Sequence, residues 1–304
     1  MGLLVVGNVA FDTIATVKFL PKENQATSIA DISMSDGGCA GNVAVIAKKL
    51  GLEVSLYASV GKDFGNSAYL TKLRRMGIDL TYLQQVDSLT ARSFMFSDGE
   101  GNQQIYYYPG ASSRLAYMKV DFEKFSNVHF TAGEFSIYER LMKDASAKKC
   151  TISFDPGQEM FHRPIEDFIL KCLPYVTYLF LNEHEMNHLL KRTNCKSLKD
   201  IFFDRMKSII VSKGKKGATL YFVDGSIEVP AVKVDRIKDP TGAGDAHRAG
   251  FLAGIMKGYD EEVSCRIGNI VASFVIKGKG AQANLPDWNK VREVYMNVFG
   301  EDIK

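Results

Sequence analysis

The sequence has no Cys-x-x-Cys pair, no apolar run long enough to span a bilayer, no excess of one charge and no internal repeat. Its five cysteines, Cys39, Cys150, Cys172, Cys195 and Cys265, are scattered and odd in number. That argues against a disulfide framework or a cysteine zinc site and favours a reducing, cytoplasmic setting. Lys+Arg 38 against Asp+Glu 35 leaves +3 at pH 7, so neither nucleic acid nor an anionic membrane is called for as a partner. The start, Met1 to Gly7, is apolar without a basic n-region and reads as a buried strand, not a signal peptide. No GxxxxGK[ST] sequence occurs, nor the paired HRD and DFG sequences of protein kinases.

What is present is an ordinary globular composition: 304 residues, 46% hydrophobic and 24% charged, enough for a large core. Leu3 to Val6 reads as a strand buried on both faces. Asn42 to Leu50 reads as a helix closed by Gly51, Val54 to Val60 as a strand, and Ser67 to Met76 as a helix closed by Gly77. The alternation resumes with strands at Val128 to Thr131, Thr151 to Phe154, Val176 to Leu181 and Ile209 to Val211. A hairpin over Asp224-Gly225 follows, then helices at Gly242 to Met256, Glu261 to Ile276 and Asp287 to Val298. Strand and helix in turn predict an α/β fold: a mostly parallel central sheet between helical layers.

Residues 81–108 differ. Ser93 to Phe96 and Ile105 to Tyr108 flank a polar turn over residues 98–102 and predict an aromatic hairpin. Residues 13–35 lack helical periodicity and supply partner strands. The segments 13–35 and 90–110 are therefore expected to form a small β-lid inserted into a single domain spanning 1–304. Its aromatics would cover a ligand or a second subunit.

The segment richest in chemistry is Asp239-Pro240-Thr241-Gly242-Ala243-Gly244-Asp245-Ala246. Glycines at a helix start leave backbone N–H groups uncovered, and such a terminus attracts anions. A carboxylate in that first turn is placed to accept a proton; on composition alone the segment reads equally as a capped Gly-rich turn. His184-Glu185-Met186-Asn187-His188 is a formal HExxH. The extended metal motif would need Gly at 191, where Lys191 stands, and the next glutamate is Glu228, so a zinc site is disfavoured and His184 and His188 read as helix-surface residues. Gly278-Lys279-Gly280-Ala281-Gln282-Ala283 fits a loose GxGxxA but follows a helix, which argues against dinucleotide binding.

These segments together resemble the ribokinase-like (PfkB) carbohydrate and nucleoside kinases. Asp239 to Asp245, with Phe251 beyond, resembles the C-terminal motif. Gly37-Gly38-Cys39-Ala40-Gly41-Asn42-Val43-Ala44 resembles the first, and Asn8, Asp12 and the Asn182 to Glu185 pattern fall in family order. The resemblance implies a ribokinase-like three-layer sandwich and an ATP- and magnesium-dependent kinase acting on a primary hydroxyl. It makes Asp245 the base, with the amides of Gly242, Ala243 and Gly244 as the anion hole. It assigns Asn8, Asp12, Gly37, Gly38 and Asn42 to the acceptor. Ser212, Lys213, Gly214, Gly217, Gly280 and Asn182 go to the nucleotide. Mg2+ would sit by Asn182 and Glu185, through water, and K+ by Asp239 and Thr241.

Arg92, on the lid, is expected to reach substrate or phosphate on closure. The C-terminal motifs look most like archaeal nucleoside kinases, so a nucleoside 5′-hydroxyl is the favoured acceptor, with a free sugar as the alternative. A catalytically silent sugar- or nucleotide-binding regulator is the reading from another class; the intact Asp245 argues against it. Lid aromatics would stack on a base or form the core of a homodimer. His247 and Arg248 depart from the family pattern; Arg248 reads either as a phosphate clamp or as a solvated cation. Asp155-Pro156-Gly157 ends a strand and receives no role.

Overall fold

Side chains alternate across the first strand, Gly2–Val6 (β1), and so feed two cores. Leu4 and Val6 join one apolar cluster, Leu3 and Val5 another on the opposite face, and all four are fully buried. An unbroken apolar run is what a strand covered by helices on both faces requires. The structure, a computed structural model, describes residues 1–98, 100, 102–161 and 166–303.

β1 pairs in parallel with Val54–Gly61 (β4) on one side and Phe125–Phe130 (β8) on the other. Beyond β4 lies Leu83–Val86 (β5). Beyond β8 come Thr151–Phe154 (β9), Tyr178–Asn182 (β10) and Ser208–Ser212 (β11), still parallel, then the antiparallel Ala218–Phe222 (β12) and Gly225–Val229 (β13). The nine-stranded order is β13-β12-β11-β10-β9-β8-β1-β4-β5. Phe222 faces Gly225 across the last hairpin, so its turn is Val223-Asp224, one residue earlier than the expected Asp224-Gly225.

Helices Cys39–Lys49 (α1), Ala68–Arg75 (α2), Ala243–Met256 (α6), Glu261–Val275 (α7) and Trp288–Phe299 (α8) cover one face. Tyr138–Ala147 (α3), Glu166–Cys172 (α4) and Glu183–Thr193 (α5) cover the other. α1 starts earlier than the periodicity suggested, because the Asn8 backbone carbonyl receives the N–H groups of Ala40 and Gly41. α6 and α7 touch through small residues: a Cβ on Gly250 would lie 2.8 Å from Gly268 Cα. That closeness explains the Gly- and Ala-rich composition of α6.

The second sheet is four-stranded, in the order β3-β2-β6-β7: Ala10–Val17 (β2), Ile29–Gly37 (β3), Ala91–Ser97 (β6) and Gln103–Tyr108 (β7). These strands fall where the inserted β-element was expected, although β2 begins three residues earlier than 13 and carries Asp12. Asp98 closes the β6–β7 turn by accepting from the N–H groups of Glu100 and Asn102; Gly99 and Gly101 of that turn lie outside the described residues. Ile32, Met34, Tyr106 and Tyr108 are exposed on this sheet.

Candidate active site

The sheet's chain order reverses at β1: one neighbour continues to β4 and β5, the other to β8 and onward. In open α/β sheets that reversal leaves a crevice at the carboxyl ends of the strands. Here Asn8 after β1, Ala132 after β8, Asp155 after β9, Asn182 at the end of β10 with Glu185 beyond it, and Ser212 at the end of β11 with Lys213 and Gly214 after it all line one cleft of about 1350 Å³. Its other walls are the first turns of α1 and α6, with Gly38, Cys39, Asn42 and Gly242 to Asp245. The inner face of the small sheet closes it with Asp12, Ser93, Met95, Ile105 and Tyr107.

Asp245 stands in the first turn of α6. Asn42 Nδ2 donates to its Oδ2 at 2.7 Å. The Asn42 amide is oriented in turn: Gln282 Nε2 donates to Asn42 Oδ1 at 2.8 Å and to the Tyr69 hydroxyl at 2.9 Å, and Lys72 Nζ holds Gln282 Oε1 at 2.7 Å. A chain of polar contacts thus runs from Lys72 to the carboxylate and fixes which end of each amide faces it. Burial raises Asp245 to about 6, against the lowering bond from Asn42; the charge of Asp155 raises it further, and Arg248 and the Cys39 thiol pull it down. A carboxylate near that value is suited to accept a proton at neutral pH.

Asp12, on β2, is 5% exposed. Burial raises it to about 7, aided by the charges of Asp245, Asp239 and Asp36. Its carboxylate lies against Gly37, where any Cβ would collide with it. Gly38 has φ +84°, and a Cβ there would sit 2.6 Å from Ala10 N. The glycine pair therefore allows α1 to begin directly against β2.

At the start of α6, Gly242 is left-handed at φ +78° and packs on Ala281. The Ala243 N–H turns back to Pro240 O at 3.1 Å, so it is engaged in the turn. The amides of Gly242 and Gly244 take no backbone acceptor among the described residues, and they are the ones open to an anion.

Asn182 and Glu185 form a reciprocal cap on α5: Glu185 N donates to Asn182 Oδ1 at 2.9 Å, and Asn182 N to Glu185 Oε2 at 2.7 Å. Glu185 is buried and raised to about 7, by burial first and by Asp155 second. One oxygen of each side chain is taken by the cap, which leaves Glu185 Oε1 for a hard cation or its water. Among the described residues no group of three or more His, Cys, Asp and Glu side chains is arranged to hold a metal. His184 is exposed, and the His188 ring packs on Phe161.

Arg92, Gly37, Gly217, Asp239 and Gly280, also expected in the site, lie off the cleft wall. Arg92 pairs with Asp63 at 3.0 Å and lies over the Phe11 ring. Gly37 supports Asp12, and Gly217 turns the chain against Val229 and Pro230. Asp239 accepts from Thr241 N and Gly280 N, joining two loops, while Gly280 packs on Ser35. Asn8 Oδ1 accepts from Cys39 N at 2.7 Å, and its Nδ2 donates to the Tyr107 hydroxyl at 3.1 Å. Tyr107 thus faces the site, whereas the Tyr106 ring packs on Phe96 and its hydroxyl meets Gln104.

Sequence reasoning missed Tyr69 and Gln282. The first reads as plain core, and the second sat in a segment assigned to the nucleotide end, although the fold carries it to Asn42. His247 is buried between α6 and α7, beside Cys265 and held neutral by burial at about 3; it is not part of the cleft. Arg248 is buried and paired, not a solvated cation.

A buried carboxylate at a helix start, open amides beside it and a cleft at the strand ends fit a phosphotransferase that acts on an alcohol. Among the described residues no helix is long and apolar enough to cross a membrane. The chain belongs to the pfkB family of carbohydrate kinases, which it matches over residues 2–288. It is 36% identical over 291 residues to a nucleoside kinase of Methanocaldococcus jannaschii, covering 95% of this chain and 94% of that one. It is 33% identical to a nucleoside kinase of Methanothermobacter thermautotrophicus, covering 98% and 96%. The crystal structure of the M. jannaschii nucleoside kinase superposes with a TM-score of 0.88 at 35% identity, covering 96% of this chain and 97% of that one. The fold is accordingly the ribokinase-like one that the motifs implied.

Proposed function

We propose that the protein transfers the γ-phosphoryl group of ATP to the 5′-hydroxyl of a nucleoside. The observation that carries this is the Asp245 carboxylate, held by Asn42 beside the open amides of α6 and facing Asp12 across the cleft. In the transfer the hydroxyl oxygen forms a bond to the γ-phosphorus and its proton passes to Asp245. The bond from that phosphorus to the bridging oxygen breaks, and its electron pair leaves with ADP. Asp12 and Asn8 receive the ribose hydroxyls, and Tyr107, Ile105 and Met95 offer the base an apolar wall. The likeness to archaeal nucleoside kinases supports a nucleoside over a free sugar. The test is turnover of inosine, guanosine, cytidine and adenosine against ribose with ATP; efficient phosphorylation of ribose alone overturns the reading.

Mg2+, held through water by Glu185 Oε1 and Asn182, would supply charge to the donor phosphates; loss of turnover with EDTA, restored by magnesium and not by zinc, tests it. K+ resting on Asp239 would reinforce the link between the Thr241 and Gly280 loops; equal activity in potassium and in tetramethylammonium removes it. The exposed Ile32, Met34, Tyr106 and Tyr108 on the small sheet suit a homodimer through that sheet. Met34→Glu should then convert a dimer to a monomer in analytical ultracentrifugation, and a monomeric native protein refutes it. The cysteines are free thiols, in keeping with a reducing cytoplasm.

A further inference from the structure

Arg248 lies three residues beyond Asp245 on α6, a spacing that puts both on one helix face. It is 4% exposed. Its Nε donates to Asp155 Oδ2 at 2.7 Å, and the guanidinium carbon stands 5.5 Å from the centroid of the Phe180 ring. These contacts fix the plane of the group. Neither Nη1 nor Nη2 donates to a protein acceptor among the described residues, although the side chain lines the cleft. Nη1 lies against Gly244: a Cβ there would be 3.1 Å from it. A guanidinium anchored by Nε, with its terminal N–H groups meeting no protein acceptor and bordering the cleft beside Gly244, is built to receive an anion.

Building on the kinase reading, we propose that Arg248 is a catalytic residue of the transfer. Its terminal nitrogens grip an oxygen of the phosphoryl group as it passes from ADP to the hydroxyl, adding a fixed cation to the amides of Gly242 and Gly244. It moves no proton; Asp245 takes that, and the electron pair leaves with ADP. Asp155 anchors the guanidinium by Nε and leaves the Nη pair free. Glycine at 244 is explained by the same geometry, since a side chain would crowd Nη1.

The alternative is an arginine that only neutralises Asp155 and pins α6 to the end of β9. Removing Arg248 alone would leave Asp155 buried without its partner, so the decisive protein is the double variant Asp155→Asn/Arg248→Met, with Arg248→Lys as the second. With inosine and ATP the double variant should lose on the order of 100-fold in kcat while KM for inosine stays within about threefold. Asp155→Asn alone should lose less than about tenfold, and Arg248→Lys should fall between native and double variant. In calorimetry, ADP with aluminium fluoride and inosine should bind the double variant roughly 100-fold more weakly, with ADP alone changed less than about threefold. A kcat for the double variant within about threefold of native overturns the inference. So does equal weakening of ADP with and without fluoride, or an Asp155→Asn loss equal to that of the double variant. If the native protein phosphorylates no nucleoside, it is the kinase reading that falls.

Discussion

The nine-stranded sheet and the four-stranded sheet face each other across the cleft but are held in different ways. The inner strands of the large sheet are buried on both faces and their ends are tied by backbone bonds, such as Asp155 N to Phe130 O at 2.8 Å and Thr131 N to Val6 O at 2.9 Å. The small sheet exposes a flank of β3 and β7 and is joined to the rest of the domain by side-chain contacts, among them Tyr107 to Asn8, Asp36 to Lys72 and Arg92 to Asp63. The difference divides the chemistry. On the proposed reading, proton transfer and phosphoryl stabilisation, which need groups fixed to fractions of an ångström, fall to the large sheet's helices. Acceptor recognition and lid closure would fall to the small sheet.

The sharpest way to break that division is to remove the base from the rigid side. Asp245→Asn should fold normally and lose on the order of 100-fold or more in kcat. Because Asp245 is raised to about 6 and must be ionised to act, kcat/KM of the native enzyme should fall as pH drops through that value. An Asn variant with kcat within about tenfold of native moves the proton acceptor elsewhere.

On the looser side the matching change is Tyr107→Ala. Its ring faces the cleft, and stacking on a base is worth about 1–3 kcal/mol in nucleic-acid sites. KM for inosine should therefore rise roughly ten- to a hundredfold with a small change in kcat. If kcat falls instead and KM is unmoved, the small sheet takes part in the chemical step and the division fails.

The large sheet was the more legible of the two in sequence. Unbroken apolar strands and glycine-stopped helices repeat there, so Leu3 to Val6 and the helices through residue 298 are readable within a few residues. In the small sheet the hairpin was visible, but which tyrosine turns inward was not. Tyr107 is the one that meets Asn8, because it pairs with Ser93 across β6 and β7. Motif residues of the site, Asn42 and Asp245, were legible because their types and spacing are unusual. The contacts that aim them, Gln282 and Lys72, come from chain segments 210 residues apart. Side-chain pairing at that separation leaves no periodicity to read.

Those contacts give a change of intermediate size. Gln282→Leu removes the donor to Asn42 Oδ1 and leaves the base unchanged. With nothing to set its orientation, the Asn42 amide can turn its oxygen toward Asp245, and kcat should drop about tenfold while KM for inosine holds. Thermal stability should change little, because Gln282 contacts polar groups beside the cleft. A loss in KM of the same size as in kcat assigns Gln282 to acceptor binding and not to aiming the base.

The smallest effect is thermodynamic and concerns Asp12, where the two sheets meet. Its carboxyl is raised from 3.8 to about 7 by burial and by Asp245, Asp239 and Asp36. A raised acid binds its proton more tightly folded than unfolded. Below about pH 4 both states hold the proton and no stability is lost. Between about 4 and 7 the unfolded chain has released the proton and the folded chain has not, so stability falls as pH rises; above 7 the loss is complete. Asp12→Asn removes that slope. Without ligand the variant should melt a few degrees higher than native at pH 8 and show a clearly smaller gain at pH 4.5. The ordering matters more than the size: a gain at pH 4.5 that matches the gain at pH 8 would mean that Asp12 is already ionised in both states at pH 4.5, so that its carboxyl is not raised and the gain comes from the hydrogen bonds of the amide rather than from loss of the charge.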